Sequence, residues 1–225
     1  GDPQLALPPE EAEERKFVMT LNDSIAALSR QFERWSNDLN RAPVAGHRDR
    51  RAVEARALMA RLRRGLGKSP AEAWEAYGLL VPYLPEHVSA AQREMLFLTA
   101  TLFGEHPLTR ARREPDADGR RPPTYNLGDV CRALEDRPGG GPADPAGERR
   151  FQALLRADAT MLPIHLRRIV RLAAAKALPI DYYQLLRDLL NWSDPIWGDR
   201  TRLAWADHYW RLDHSSTDDT DSQGK

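Results

Sequence analysis

The stretch Ser89-Ala-Ala-Gln-Arg-Glu-Met-Leu-Phe-Leu-Thr-Ala-Thr-Leu-Phe-Gly104 decides the fold class of this chain. Ser89 with Gln92 makes a capping box, in which a hydroxyl and an amide side chain each answer an orphan backbone N–H at a helix start. The uncharged run behind it, Met95 to Phe103, falls well short of the roughly 18 to 20 residues a membrane span needs. It therefore reads as the buried helix of a soluble core.

The same grammar repeats on both sides. Phe17, Leu21, Ile25, Leu28, Phe32, Trp35 and Leu39 form one apolar stripe at three-to-four spacing, with small polar residues at Asn22 to Ser24 offering a cap for a second helix and Pro43 to Gly46 ending it. Another helix runs from about Arg48 to Gly65. Ser69, Pro70 and Glu72 then supply a capping box for a short helix bearing Trp74 and Tyr77, stopped by Pro82 and Pro85. Downstream, helices are expected over about Asn126 to Arg137, Asp144 to Arg156, Leu162 to Ala177, Asp181 to Trp192 and Asp199 to Leu212. No stretch alternates with period two, so the class is all-α.

Two segments lack the apolar residues a helix needs for packing. From His106 to Pro123 the chain is charged and Pro-interrupted and reads as a mobile basic loop; Pro138 to Pro145, with three consecutive glycines, reads as a flexible joint. The expected arrangement is a two-lobed helical bundle: an N-terminal helical extension (1–47), a first lobe (48–107), a basic linker (108–126), a second lobe (127–212) and a disordered acidic tail (213–225).

With 225 residues, 41% hydrophobic and 29% charged, the chain suits one soluble unit or two small ones. Its start is acidic and Pro-bearing, unlike a secretory signal, and Cys131 is its only cysteine, which leaves no intramolecular disulfide and no multi-Cys zinc site. A cytoplasmic protein with no membrane partner is expected.

The formal net charge of zero conceals an asymmetry. Residues 1–14 carry five acids and no base, and residues 213–225 four acids and one lysine, so the interior holds 32 bases against 24 acids. Residues 41–68 alone hold nine bases and two acids. On a helical wheel Leu58, Met59, Leu62 and Leu66 oppose a cationic stripe of Arg50, Arg61, Arg64 and Lys68. Arg167, Arg168 and Arg171 likewise span about 100° of arc opposite Leu166, Ile169, Val170 and Ala173. Like charges so concentrated repel one another unless a polyanion accepts them, so the pattern favours phosphate-backbone binding over a merely solvated face.

Other motifs yield to plainer explanations. Gly65-Leu66-Gly67-Lys68-Ser69 resembles the end of a phosphate-binding loop, but the required first glycine falls on Leu62 and Pro70 lacks an amide donor, so helix termination plus a new cap is the better reading. The six histidines show no ligand spacing, no Gly-x-Ser-x-Gly elbow is present, and Cys131 reads as a small buried residue. No metal, cofactor or enzymatic activity is expected. Trp192, Trp197, Trp205, Tyr209 and Trp210 could stack bases, but Trp205, Tyr209 and Leu212 recur at helical spacing and read as core.

In order, the segments Ala60-Arg61-Leu62-Arg63-Arg64-Gly65, Lys68-Ser69-Pro70, Phe97 to Phe103 with His106-Pro107, Asn126-Leu127-Gly128 with Arg132-Ala133-Leu134, Glu148-Arg149-Arg150-Phe151, Leu154 to Asp158, His165-Leu166-Arg167-Arg168 and Asp188-Leu189-Leu190-Asn191-Trp192 resemble the CasB family over roughly residues 50–212. CasB is the small subunit of the type I-E CRISPR surveillance complex called Cascade. The resemblance implies an all-helical, non-catalytic subunit, present with a second copy of itself. Its implied partners are the repeat backbone and large subunit, the guide RNA–target DNA heteroduplex and the displaced DNA strand, with a basic surface helping to hold the R-loop.

Arg63, Arg64, Arg149, Arg150, Arg167 and Arg168 match family positions, as does Arg132, although Asp129, Val130 and Cys131 separate it from Gly128. With the stripe residues Arg61, Lys68 and Arg171 they make the expected nucleic-acid contacts, while Arg200 and Arg202 lie outside the track. The competing reading is a helical scaffold or adaptor whose arginines contact protein carboxylates only.

Overall fold

Side chains that accept backbone N–H groups set where these helices start. The computed structural model describes residues 19–41, 49–110, 118, 124–135 and 144–211. Among them are nine α-helices: α1 Leu21–Leu39, α2 Arg50–Arg64, α3 Trp74–Tyr77, α4 Ala90–Glu105, α5 Leu127–Leu134, α6 Pro145–Leu155, α7 Leu162–Ala175, α8 Tyr182–Asn191 and α9 Trp197–Trp210. No strand occurs among the described residues; a single parallel bridge joins Thr109 to Ile180. The all-α class is as expected, and no described helix is long and apolar enough to cross a membrane.

The boxes at Ser89/Gln92 and Asn126/Asp129 close reciprocally, and the carboxylates of Asp49, Asp144 and Asp181 accept amides of the turns they open. Three expected boundaries move. Thr20, not a residue within Asn22 to Ser24, caps α1: its hydroxyl accepts from Asp23 N while the Asp23 carboxylate accepts from Thr20 N, and the helix runs unbroken to Leu39. Ser24 turns inward and donates to the Tyr83 carbonyl. Glu72 does accept from Ser69, but the box opens a 3-10 turn, Pro70–Glu72, and Ala73 leaves helical geometry before α3 starts. Helix α9 starts two residues before Asp199 because the Asp194 carboxylate accepts from Ile196 N and Trp197 N. Phe17, Pro43 to Gly46, Arg137, most of the 108–122 loop, the joint up to 143 and the acidic tail lie outside the described residues.

Helix α4 occupies the centre, packed on α2, α7 and α8, while α1 covers α2 and α8 and α5 lies against α6, α7 and α9. Gly104 permits the α2–α4 crossing: a Cβ there would stand 2.5 Å from the Leu62 Cβ and 3.0 Å from the Arg63 nitrogen. The buried residues form one connected cluster from Ile25 to Tyr209. Phe32 and Phe103 stack at 4.3 Å, and Tyr182 meets Phe103 edge-on while donating to the His106 carbonyl at 2.7 Å.

Three of the C-terminal aromatics, Trp192, Trp205 and Tyr209, behave as core. Trp192 and Trp205 pack at 4.9 Å, with their indole N–H groups donated to the Ala157 carbonyl and the Asp188 carboxylate, and Tyr209 stacks on Phe151 at 4.0 Å. Trp197 and Trp210 remain partly exposed.

The link between α4 and α7 fixes how the basic helices meet. His106 Nε2 lies 2.7 Å from the Leu178 carbonyl, Ile180 N donates to the Leu108 carbonyl and Arg110 N donates to the Ile180 carbonyl. Thus 108–110, expected to be mobile, are tied to the turn before α8, and the Arg110 guanidinium covers the Tyr125 ring at 4.0 Å.

Candidate nucleic-acid interface

Two arginines more than a hundred residues apart share one carboxylate. Glu105, at the end of α4, receives Arg171 Nε at 2.9 Å and stands 4.0 Å from Arg63 Nε, which also donates to the Gly104 carbonyl. Glu105 is largely covered while both guanidinium groups remain more than half exposed, so the acid neutralises only part of the pair and holds both outward. One turn before Arg171, Arg167 reaches back over the loop that follows α2. Gly67 there adopts φ +83°, and its bare backbone seats the Arg167 guanidinium. Arg63, Arg171 and Arg167 therefore form a row across the α2–α4–α7 junction.

The glycines at 65 and 67 have packing and turn roles. Gly65 ends α2, with Ala76, Phe97 and Thr101 against it, and Gly67 carries the positive φ of the following turn. Helix termination followed by a cap at Ser69 is what the structure contains.

The remaining expected contacts divide by location. Arg64 pairs with Glu75 at 3.0 Å and Arg61 donates to the Glu75 carbonyl, both exposed to solvent, where such a pair stabilises by less than about 1 kcal/mol. Lys68 and Arg168 have no hydrogen-bond or ion-pair partner among the described residues, and both are exposed. Arg168 points away from the α7 core face.

On the other flank of α7, Lys176 donates to the Leu134 carbonyl of α5, and Ile169 lines a recess with Cys131, Gly147 and Arg150. Arg132, Arg149 and Arg150 thus belong to α5 and α6, on the flank away from Glu105. Arg149 is exposed and without a partner among the described residues, whereas Arg132 and Arg150 are partly covered. Of the ten expected residues, Arg63, Arg167 and Arg171 make the built row, Arg61, Arg64 and Lys68 lie on and just after α2 outside it, Arg132, Arg149 and Arg150 form a separate group on α5 and α6, and Arg168 stands on the ridge of α7.

Three participants were invisible in the pattern. Glu105 had no signal, because its role exists only once α2 and α7 meet. Arg202, expected to lie outside the track, has a structural role: its Nε donates to the Leu155 carbonyl, its Nη2 donates to the Trp192 carbonyl, and it lies over the Trp192 ring at 4.4 Å. His208 Nδ1 lies 2.7 Å from the Asp129 carboxylate and ties α9 to the start of α5.

Among the described residues no group of three or more His, Cys, Asp or Glu side chains is placed to hold a metal ion. Cys131 is buried among apolar atoms, and that burial pushes its thiol well above the ordinary range.

Fold and site together define a class: a mainly helical protein with no sheet among its described residues, whose basic residues converge from two distant helices. The chain belongs to the family of CRISPR-associated protein Cse2, whose model matches residues 58–210. That bears out the resemblance carried by the arginine-bearing segments.

Among solved structures, CasB from Thermus thermophilus is similar at 25% identity and TM-score 0.55, over 81% of this chain and 97% of that one. CasB from Thermobifida fusca is similar in fold at 22% identity and TM-score 0.60, over 84% and 98%. A chain of a CRISPR RNA-guided surveillance complex is similar in fold at 23% identity and TM-score 0.56, over 82% and 92%. None of the curated proteins matches.

Proposed function

We propose that this chain is a non-catalytic subunit of a cytoplasmic, RNA-guided CRISPR surveillance complex of the Cascade type. Residues 48–107 and 127–212 act as two lobes sharing one core, a second copy lies beside the first, and the basic surface holds target and displaced DNA strands. Membership in the Cse2 family and the fold shared with a chain of a surveillance complex support the assembly.

The observation that carries the chemistry is the Arg63–Glu105–Arg171 junction, which holds guanidinium groups from two helices in one exposed row. Guanidinium forks suit phosphate oxygens, and such contacts carry no sequence information. In RNA-guided recognition, base pairing reads the sequence, and R-loop formation is nearly balanced in pairing energy. A few phosphate contacts to the opened strands therefore tip the balance toward the open state.

The test is R-loop lifetime in complexes assembled with and without this subunit, followed by re-annealing of the displaced strand. The proposal predicts faster collapse without it. Equal lifetimes, with assembly intact, favour a scaffold whose arginines serve protein partners only.

A further inference from the structure

Beside the arginine row lies a cavity of about 510 Å³ that phosphate binding alone does not explain. Phe97 and Leu98 of α4, Ile164 of α7 and Leu189 of α8 give it apolar walls, while Lys68, Gln92 and Arg167 bring polar groups to its lining. Cavities of this size with mostly apolar walls and a few placed polar groups accommodate compact organic ligands. Arg167 is common to the cavity and the row, so the cavity opens beside the cations proposed to follow a phosphate backbone. Lys68, exposed and making no hydrogen bond or ion pair among the described residues, adds a second cation to the lining.

The occupant these features fit is flat, largely apolar on its faces and edged with acceptors, and it is attached to a phosphate. We infer that the cavity receives an unpaired nucleobase from a single strand whose phosphates follow Arg63 and Arg171 of the row and the neighbouring ridge residue Arg168. This rests on the nucleic-acid reading above and adds a base-holding subsite to it. The base faces meet the apolar walls, its acceptor edge turns to the polar side of the lining at Gln92 and Arg167, and its phosphate lies near Lys68. Glu94 is also on the lining, where burial first and Glu72 second raise its carboxyl above the ordinary value. Because the walls are apolar, the subsite tolerates different bases and holds a strand already separated from its complement.

The experiment titrates the full chain at low salt with two end-labelled single strands of equal length and charge, one of deoxythymidine and one of abasic tetrahydrofuran residues. The base-bearing strand should bind about tenfold tighter, the scale of holding one base. Ala91 and Ala159 are exposed on the cavity lining, so the double variant Ala91→Phe, Ala159→Phe fills the opening without entering the core. It should erase the preference and leave abasic affinity unchanged. Equal binding of the two strands by the unaltered chain overturns the inference, as does a preference that survives in the double variant.

The two readings fail differently. If both strands bind equally and Arg171→Gln weakens both, the phosphate row stands and the base subsite falls. If neither strand binds, both fall.

Discussion

The guanidinium of Arg167 lies across Gly67 so closely that a Cβ at position 67 would stand 2.0 Å from Nη2 and 2.7 Å from Cζ. The Gly-Leu-Gly-Lys segment, which resembles a phosphate cradle in sequence, here provides at Gly67 the seat of an arginine from another helix. Replacing Gly67 with Ala places a side chain in left-handed geometry, which costs about 1–2 kcal/mol, and pushes Arg167 off its seat. Thermal unfolding of Gly67→Ala should show that loss together with weaker single-strand binding. A fully stable variant with unchanged binding would show that the seat is dispensable.

Glu105 is the acid that restrains the row. Glu105→Gln removes one negative charge between Arg63 and Arg171 while keeping a polar side chain in place. Stability should change by less than about 1 kcal/mol, since both guanidinium partners are exposed. DNA affinity should rise, with a steeper dependence on salt, as measured by fluorescence anisotropy across a salt series. A drop in affinity would mean that Glu105 positions the arginines more than it neutralises them.

Asp188 makes part of the stability pH-dependent. Burial pushes its carboxyl up to about 6, against the opposing hydrogen bonds from Trp205 and Gln184. Its unfolded value is about 3.9, so between about pH 4 and 6 the folded chain binds a proton that the unfolded chain has released. The Asp188 contribution to stability therefore falls as pH rises through that window. Asp188→Asn cannot titrate, so relative to the unaltered chain it should gain up to about 3 kcal/mol between pH 4 and 7. Urea unfolding of both proteins at several pH values reads this difference directly, free of the exposed carboxylates common to both. A constant offset would place the titration elsewhere.

Arg202 is a structural arginine. Arg202→Glu removes two hydrogen bonds to carbonyls and the cover over Trp192, at a cost of about 2–4 kcal/mol, whereas exposed Arg200→Glu should leave the melting temperature within a degree or two. Arg200 is the sound control for charge reversal. Comparable melting of the two variants would contradict this division.

How far the sequence could be read depended on the range of each interaction. Caps such as Ser89/Gln92 and Asp181/Gln184 act over three residues, so the helices they open were legible. At Thr20 and Asp194 neighbouring small polar residues offered rival caps, and only packing chose between them. The helical wheel grouped Arg167 with Arg168 because it sees one helix at a time. The structure separates them: Arg167 turns to Gly67, brought from another part of the chain, while Arg168 stays in solvent. Glu105 was unreadable for the same reason, since nothing local to Glu105 foretells Arg63 on one side and Arg171 on the other.

The central claim, a phosphate-binding row built across α2 and α7, is tested most directly by the salt dependence of single-strand binding. The triple variant Arg63→Gln, Arg168→Gln, Arg171→Gln keeps Arg167 and the cavity lining intact and alters only exposed side chains. Each lost phosphate contact lowers the slope of log affinity against log salt by about 0.7, so the triple variant should lose about 2 in slope, alike for different DNA sequences. A folded triple variant with the affinity and slope of the unaltered chain would contradict the account and return these arginines to a scaffolding role.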